Sequence, residues 1–178
     1  MLRHIEVIGA LELGIAFWYC ERMNPACDMC QFLNDKPLKN QILTTEHWTV
    51  GIIPDQPYLG RALITLLTHK GSLGRLSPEE WQEFQDMVPR LEHAYKQAFG
   101  AEPLNMGCFM NHGYRDAPPH PHVHWQIFPR YKEPVKLSGV IFQDDRYGNF
   151  YDDDAHNPVD SNVIEEIAHK LKSALESS

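Results

Sequence analysis

Histidines recur at positions 120, 122 and 124, with Gln126 next in the same register, and this alternation constrains the chain more than any other feature. Val123, Trp125 and Ile127 fill the intervening places. A β-strand has a side-chain period of two. The pattern therefore predicts a strand with the imidazoles and Gln126 on one face and the apolar residues on the core face. Three imidazoles on one sheet face are poor core material. They suit proton transfer, metal binding or nucleophilic attack. The plainer alternative is a solvated polar face.

Further segments carry the same kind of signal. Trp48, Val50 and Ile52 alternate as a strand, Pro54 to Gly60 is rich in turn formers, and Ala62 to Leu67 reads as a second strand antiparallel to the first. Leu104, Met106, Cys108 and Met110 alternate as a third strand, and the histidine segment is the fourth. Ser77, Pro78 and Glu80 spell an N-cap, a first-turn proline and a capping box. Trp81, Phe84, Val88, Leu91, Tyr95 and Ala98 then follow at helical spacing until Gly100. A second helix is expected from about Val163 to Leu175, with Ile164, Ile167, Leu171 and Ala174 as its apolar stripe. Between them, residues 143–160 read as an acidic loop. Asp144, Asp145, Asp152, Asp153 and Asp154 are expected to face water rather than bind a cation. The fold class that follows is α+β, an antiparallel sheet with helices packed against it.

A chain of 178 residues suits one domain. Its formal net charge of -8 argues against a nucleic acid polymer as partner, while leaving room for a single nucleotide held by local donors. The apolar run from Ile5 to Tyr19 is interrupted by Glu6 and Glu12, too short and too acidic to cross a membrane. The four cysteines, Cys20, Cys27, Cys30 and Cys108, do not form a disulfide framework, and a reducing, cytoplasmic setting is expected. Residues 1–22 are read as an N-terminal extension, with Met23 as an alternative start. Residues 23–131 are the catalytic unit, and residues 132–178 are a C-terminal extension packed on it.

The segment His120-Pro121-His122-Val123-His124 resembles the signature of the histidine-triad (HIT) family. The resemblance runs over about residues 27 to 131. It takes in Cys27-x-x-Cys30, the strand pair ending at His69, the Ser77 helix, the Leu104 to Asn111 strand and Pro129-Arg130-Tyr131. It implies a HIT-like α+β domain, paired as a homodimer, that binds a nucleoside phosphate. It also implies that the middle histidine, His122, becomes covalently nucleotidylated, with His124 and Asn111 contacting the phosphate or leaving group. The His-Pro-His element is similar to the galactose-1-phosphate uridylyltransferase branch, whose pattern continues as His-Pro-His-x-Gln. Counted from His120, that last position holds His124. The family's ribose-binding acid has no clear counterpart: Ile53 stands at the matching place and Asp55 is nearby.

The resemblance also implies structural zinc held by Cys27, Cys30, His69 and His120, a Cys₂His₂ set. A redox role for the C-x-x-C pair lacks the surrounding βαβ pattern. The leading functional expectation is a nucleotide hydrolase acting on nucleoside phosphoramidates, dinucleoside polyphosphates or related nucleotidyl compounds. A nucleotidyl transferase or phosphorylase is the close rival. A metallohydrolase with a metal on His120, His122 and His124, and a nucleotide-binding module with little turnover, are the alternatives of other classes.

Overall fold

A computed structural model of the protein describes residues 24–35, 40–152 and 154–177. The extension over residues 1–22 therefore lies outside the described residues, as do Cys20 and Asp153. In chain order the elements are helix α1 (Asp28–Asp35) and strands β1 (Gln41–Thr44), β2 (Trp48–Ile52) and β3 (Ala62–Leu66). Helix α2 (Pro78–Phe99), strands β4 (Leu104–Gly107), β5 (His124–Pro129), β6 (Val135–Leu137) and β7 (Val140–Phe142), and helix α3 (Ser161–Glu176) follow. Strands β1-β2-β3-β5-β4 form one antiparallel sheet in that order, and β6 and β7 form a separate hairpin. The architecture is α+β, as the alternation and capping signals imply. Helix α1, strand β1 and the β6–β7 hairpin are additions to the elements legible in the sequence.

The core lies on one face of the sheet. Trp48, Val50, Ile52, Ala62, Ile64, Leu66 and Ile127 are buried there against Met87, Leu91, Ala94 and Tyr95 of α2. Helix α3 adds Val163, Ile164, Ile167 and Leu171 to this same cluster, so residues from the C-terminal segment share one core with the rest. Stacked rings of Phe84 and Trp125, centroids 4.7 Å apart, join α2 to β5. Cutting a fully buried residue such as Leu91 to alanine would cost about 2–5 kcal/mol, from lost transfer energy plus the cavity left behind.

Two local devices position the other face. The Ser77 and Glu80 capping box forms as the sequence predicts. The same Glu80 carboxylate accepts from Lys70 Nζ at 2.6 Å, while the Glu80 carbonyl accepts from Trp48 Nε1 at 2.8 Å. The start of α2 is thereby tied to the chain just after His69. Across from it, the Val123 amide donates to the Lys70 carbonyl at 2.8 Å, and the Leu66 amide donates to Val123 at 3.2 Å. The histidine segment therefore runs alongside residues 66–70. Regular strand begins only at His124, and His120 and His122 lie in the chain before it.

Candidate functional site

Four side chains from three separate segments meet on the face opposite the core: Cys27, Cys30, His69 and His122. Cys27 and Cys30 are buried at the start of α1, at 1% and 0% exposure. Cys30 Sγ lies 3.4 Å from His69 Nδ1 and 3.4 Å from His122 Nδ1, and Cys27 Sγ lies 3.5 Å from the same His122 nitrogen. The His69 and His122 rings meet edge to face with centroids 5.2 Å apart. His122 Nε2 donates to the Leu66 carbonyl at 2.7 Å. With the proton on Nε2, the lone pair of Nδ1 faces the thiols. The Cys30 hydrogen bond holds Cys27 down to about 3; burial opposes this shift and His122 assists it. Cys30 is pushed up by its bond to Cys27 and by burial.

This donor set fits zinc. At bond lengths of about 2.3 Å to sulfur and 2.0–2.1 Å to nitrogen, a tetrahedral ion separates S and N ligands by about 3.5 Å. That matches the three S–N separations. A partner from the surroundings is also in place: the Asn24 amide points at Cys30 Sγ from 3.4 Å, and Asn24 Nδ2 lies 3.5 Å from His69 Nε2.

The fourth member corrects the sequence expectation, which put His120 with Cys27, Cys30 and His69. His120 instead sits half-buried beside Asn24, its Nδ1 3.3 Å from Asn24 Nδ2, and outside the cluster. The reason is the path of the chain. The regular strand does not extend back to His120, and that residue reaches Asn24 at the margin of the cluster while His122 meets the thiols. His122, expected as the attacking group, has its Nε2 bonded to the Leu66 carbonyl and its Nδ1 facing the two sulfurs. At 2% exposure it is sealed from substrate.

His124 stands next in the row. Its Nδ1 donates to the His122 carbonyl at 2.8 Å, which fixes the tautomer and leaves Nε2 with its lone pair. Burial holds its imidazole below the ordinary value and so favours the neutral form; the bond to His122 works the other way. It pairs with Thr65 across β3 and β5, and Gln126 follows on the same face opposite Leu63. Arg61 reaches this face from the chain before β3. Its Nη2 donates to Gln126 Oε1 and its Nη1 to Asp55 Oδ2, each at 3.3 Å. Asp55 also accepts from His156 Nδ1 at 2.9 Å and from the Asn157 amide at 2.7 Å. A neutral imidazole, an amide and a guanidinium thus lie in sequence along one sheet face, a set suited to attacking and holding a phosphoryl group.

Asn111, expected near the phosphate, is exposed and opens a 3-10 turn, Asn111–Tyr114. The acidic loop departs from expectation at Asp144. That residue is buried and pairs with Arg130, whose Nε and Nη2 donate to its carboxylate at 2.6 and 3.0 Å. Sequence reading passed over Asn24 and Arg61, and it placed Gln126 on the histidine face without giving it a role. For Gln126 the signal was available: counted from His122 rather than His120, the chain spells His-x-His-x-Gln.

No sequence-family model matches the chain, and no curated protein matches its sequence. Solved structures do match its fold. A Zn-bound histidine triad family protein from Mycobacterium smegmatis is 19% identical, with a TM-score of 0.57 over 85% of this chain and 94% of that one. A hypothetical histidine triad nucleotide-binding protein from Sulfolobus tokodaii is 14% identical, with a TM-score of 0.64 over 85% and 93%. A uridylyltransferase is 17% identical, with a TM-score of 0.56 over 94% of this chain and 50% of its own. The chain has the histidine-triad fold, an architecture it shares with the uridylyltransferase.

Proposed function

We propose that this protein is a nucleotidyl hydrolase or transferase in which His124 is the nucleophile and zinc on Cys27, Cys30, His69 and His122 is structural. The observation that carries the reading is the division of labour between neighbouring imidazoles. Both nitrogens of His122 are committed, whereas among the described residues His124 has only Nδ1 engaged, on the His122 carbonyl.

In this reading His124 Nε2 attacks phosphorus. A P–N bond forms, the bond to the leaving group breaks, and the leaving group departs, taking a proton from solvent water while His124 keeps its Nδ1 proton on the His122 carbonyl. Water, or a phosphate acceptor, then attacks the phosphorus and releases His124. Gln126 donates its amide hydrogens to the non-bridging oxygens, and Arg61 adds positive charge nearby. Cys27, Cys30, His69 and His122 would hold the zinc, which would supply a cross-link that fixes His122. The carbonyl of that residue orients His124, so the metal site positions the nucleophile through the backbone. Four protein donors would close a tetrahedral coordination, which speaks for a structural role over a metal-activated water.

The substrate class is a nucleoside phosphoramidate, a dinucleoside polyphosphate or a related nucleotidyl compound. Gln126 gives weight to transfer onto a phosphate acceptor, since His122-Val123-His124-Trp125-Gln126 repeats the His-x-His-x-Gln spacing of the uridylyltransferase branch. Brief mixing with a panel of nucleotides and phosphoramidates, followed by mass spectrometry, tests the reading. An acid-labile nucleotidyl adduct on His124, absent in His124→Ala, is expected. An adduct on His122, or turnover surviving in His124→Ala, would overturn it.

A further inference from the structure

Aromatic rings crowd the sheet face beyond Gln126. Phe128 follows Gln126 in the alternation of β5. Tyr151 stacks on it with centroids 4.0 Å apart and planes 12° from parallel, and Phe150 stacks on Tyr151 at 5.1 Å and 26°. Phe109 lies 6.4 Å from Tyr151. The Arg61 guanidinium sits 5.4 Å from the Phe128 centroid, joining these rings to Gln126.

The position of Phe109 is set by a glycine. A Cβ at Gly107 would lie 2.3 Å from Phe109 Cε2 and 2.4 Å from its Cζ. Gly107 pairs with Gln126 across β4 and β5, and paired residues point to the same face of a sheet. The Phe109 ring therefore covers Gly107 on the face that carries Gln126, in space that a side chain at 107 would fill.

The group is held open. Phe150 is 74% exposed and Phe109 39% exposed. The segment carrying Phe150 and Tyr151 is tied down on both sides of the rings. Before them, Arg130 binds Asp144 and donates to the carbonyls of Arg146 and Asn149 at 2.7 and 2.8 Å. After them, the Asp152 amide donates to Tyr58 Oη at 2.7 Å, and the Asn157 amide donates to Asp55. Exposed rings kept at fixed spacing, with a guanidinium leading to a phosphate-binding amide, suit a planar aromatic ligand attached to phosphate.

We propose that Phe109 and Phe150, backed by Tyr151, form a stacking wall for the nucleobase of the substrate, with Arg61 between that wall and the reacting phosphate. The proposal rests on the reading of His124 and Gln126 as the phosphoryl site. From His124 to Phe128 the strand covers about 13 Å at 3.3 Å per residue, and the nucleotide lies along it. Base selectivity is expected to be loose, since every base offers a π face.

Titration calorimetry with AMP, UMP and ribose 5-phosphate tests the wall apart from any chemistry. Both nucleotides should bind the wild-type protein about tenfold or more tighter than ribose 5-phosphate. Phe150→Ala and Phe109→Ala should each weaken AMP and UMP by about tenfold while leaving ribose 5-phosphate unchanged. Equal binding of all three compounds, or unchanged nucleotide binding in the Phe109→Ala, Phe150→Ala double variant, would overturn the wall. Adduct mass spectrometry on the same proteins separates the two readings. Nucleotide binding that depends on the rings, without an adduct on His124, supports the wall and removes the proposed chemistry. An adduct that forms equally fast in wild-type and double variant at limiting nucleotide does the reverse.

Discussion

His122 Nε2 donates to the Leu66 carbonyl at 2.7 Å, and this one bond decides which nitrogen of that imidazole faces the thiols of Cys27 and Cys30. In the proposed reading it leaves His122 as a metal ligand rather than the nucleophile. The chemistry in that reading lies two residues along the chain at His124, whose own Nδ1 is fixed by the His122 carbonyl.

The metal assignment makes a sharp distinction between neighbouring histidines. The purified protein is expected to carry one zinc, found by elemental analysis. His122→Asn should lose it along with much of the stability, because buried thiols then lose their shared partner. His120→Ala should keep it. Asn24→Ala should lower zinc affinity by about 10–100-fold, as loss of a supporting hydrogen bond does. Loss of zinc in His120→Ala with retention in His122→Asn would reverse the assignment.

The ion pair of Arg130 and Asp144 is sealed, with side chains 2% and 1% exposed. Arg130→Met would leave Asp144 buried and unpaired, an expected loss of about 3–5 kcal/mol by urea denaturation. Adding Asp144→Leu to that variant should recover part of the stability, since the stranded charge is gone. A loss under 1 kcal/mol in Arg130→Met would show that Asp144 reaches water.

Gly113 sets the approach to the histidines. A Cβ there would meet Pro121 Cα at 2.4 Å, Pro121 N at 2.7 Å and the His120 carbonyl at 2.9 Å. These are backbone atoms that cannot swing aside, and the His120 amide is bonded to the Gly113 carbonyl at 2.8 Å. Gly113→Ala should therefore displace the segment leading into His122. Weaker zinc retention under chelator challenge is the expected result. Wild-type retention would mean that the 111–120 turn shifts freely.

Asp55 gives a pH signature. Burial opposes its ionisation, but the His156 bond, the Asn157 amide and the Arg61 charge hold its carboxyl below the usual range. A depressed folded value contributes stability that is full above the ordinary carboxylate pKa and is lost as pH falls through the folded one. At pH 7, Asp55→Asn should cost about 1 kcal/mol. The gap between variant and wild type should narrow below about pH 4, where the unfolded-state carboxylate protonates. A gap that stays constant down to acid pH would show that the Asp55 charge is not what stabilises the loop.

Sequence alone determined the sheet alternation, the capped helix α2, the stripe of α3 and the presence of a histidine cluster, because each rests on a local period or a cap a few residues long. Cys27, Cys30 and His69 were legible as ligand types. Tertiary structure decided how they are used. Period two holds only where the backbone is a regular strand, and here that begins at His124, so the register of the triad could not be counted back to His120. Which imidazole met the thiols depended on a carbonyl of Leu66, more than fifty residues away in the chain. The burial of Asp144 depended in the same way on Arg130, and the face formed by Arg61, Gln126, Phe109 and Tyr151 depended on strand order and a tethered loop. Pairings of this kind are long-range. No local pattern encodes them, and they form only when packing brings distant backbone groups within hydrogen-bond reach.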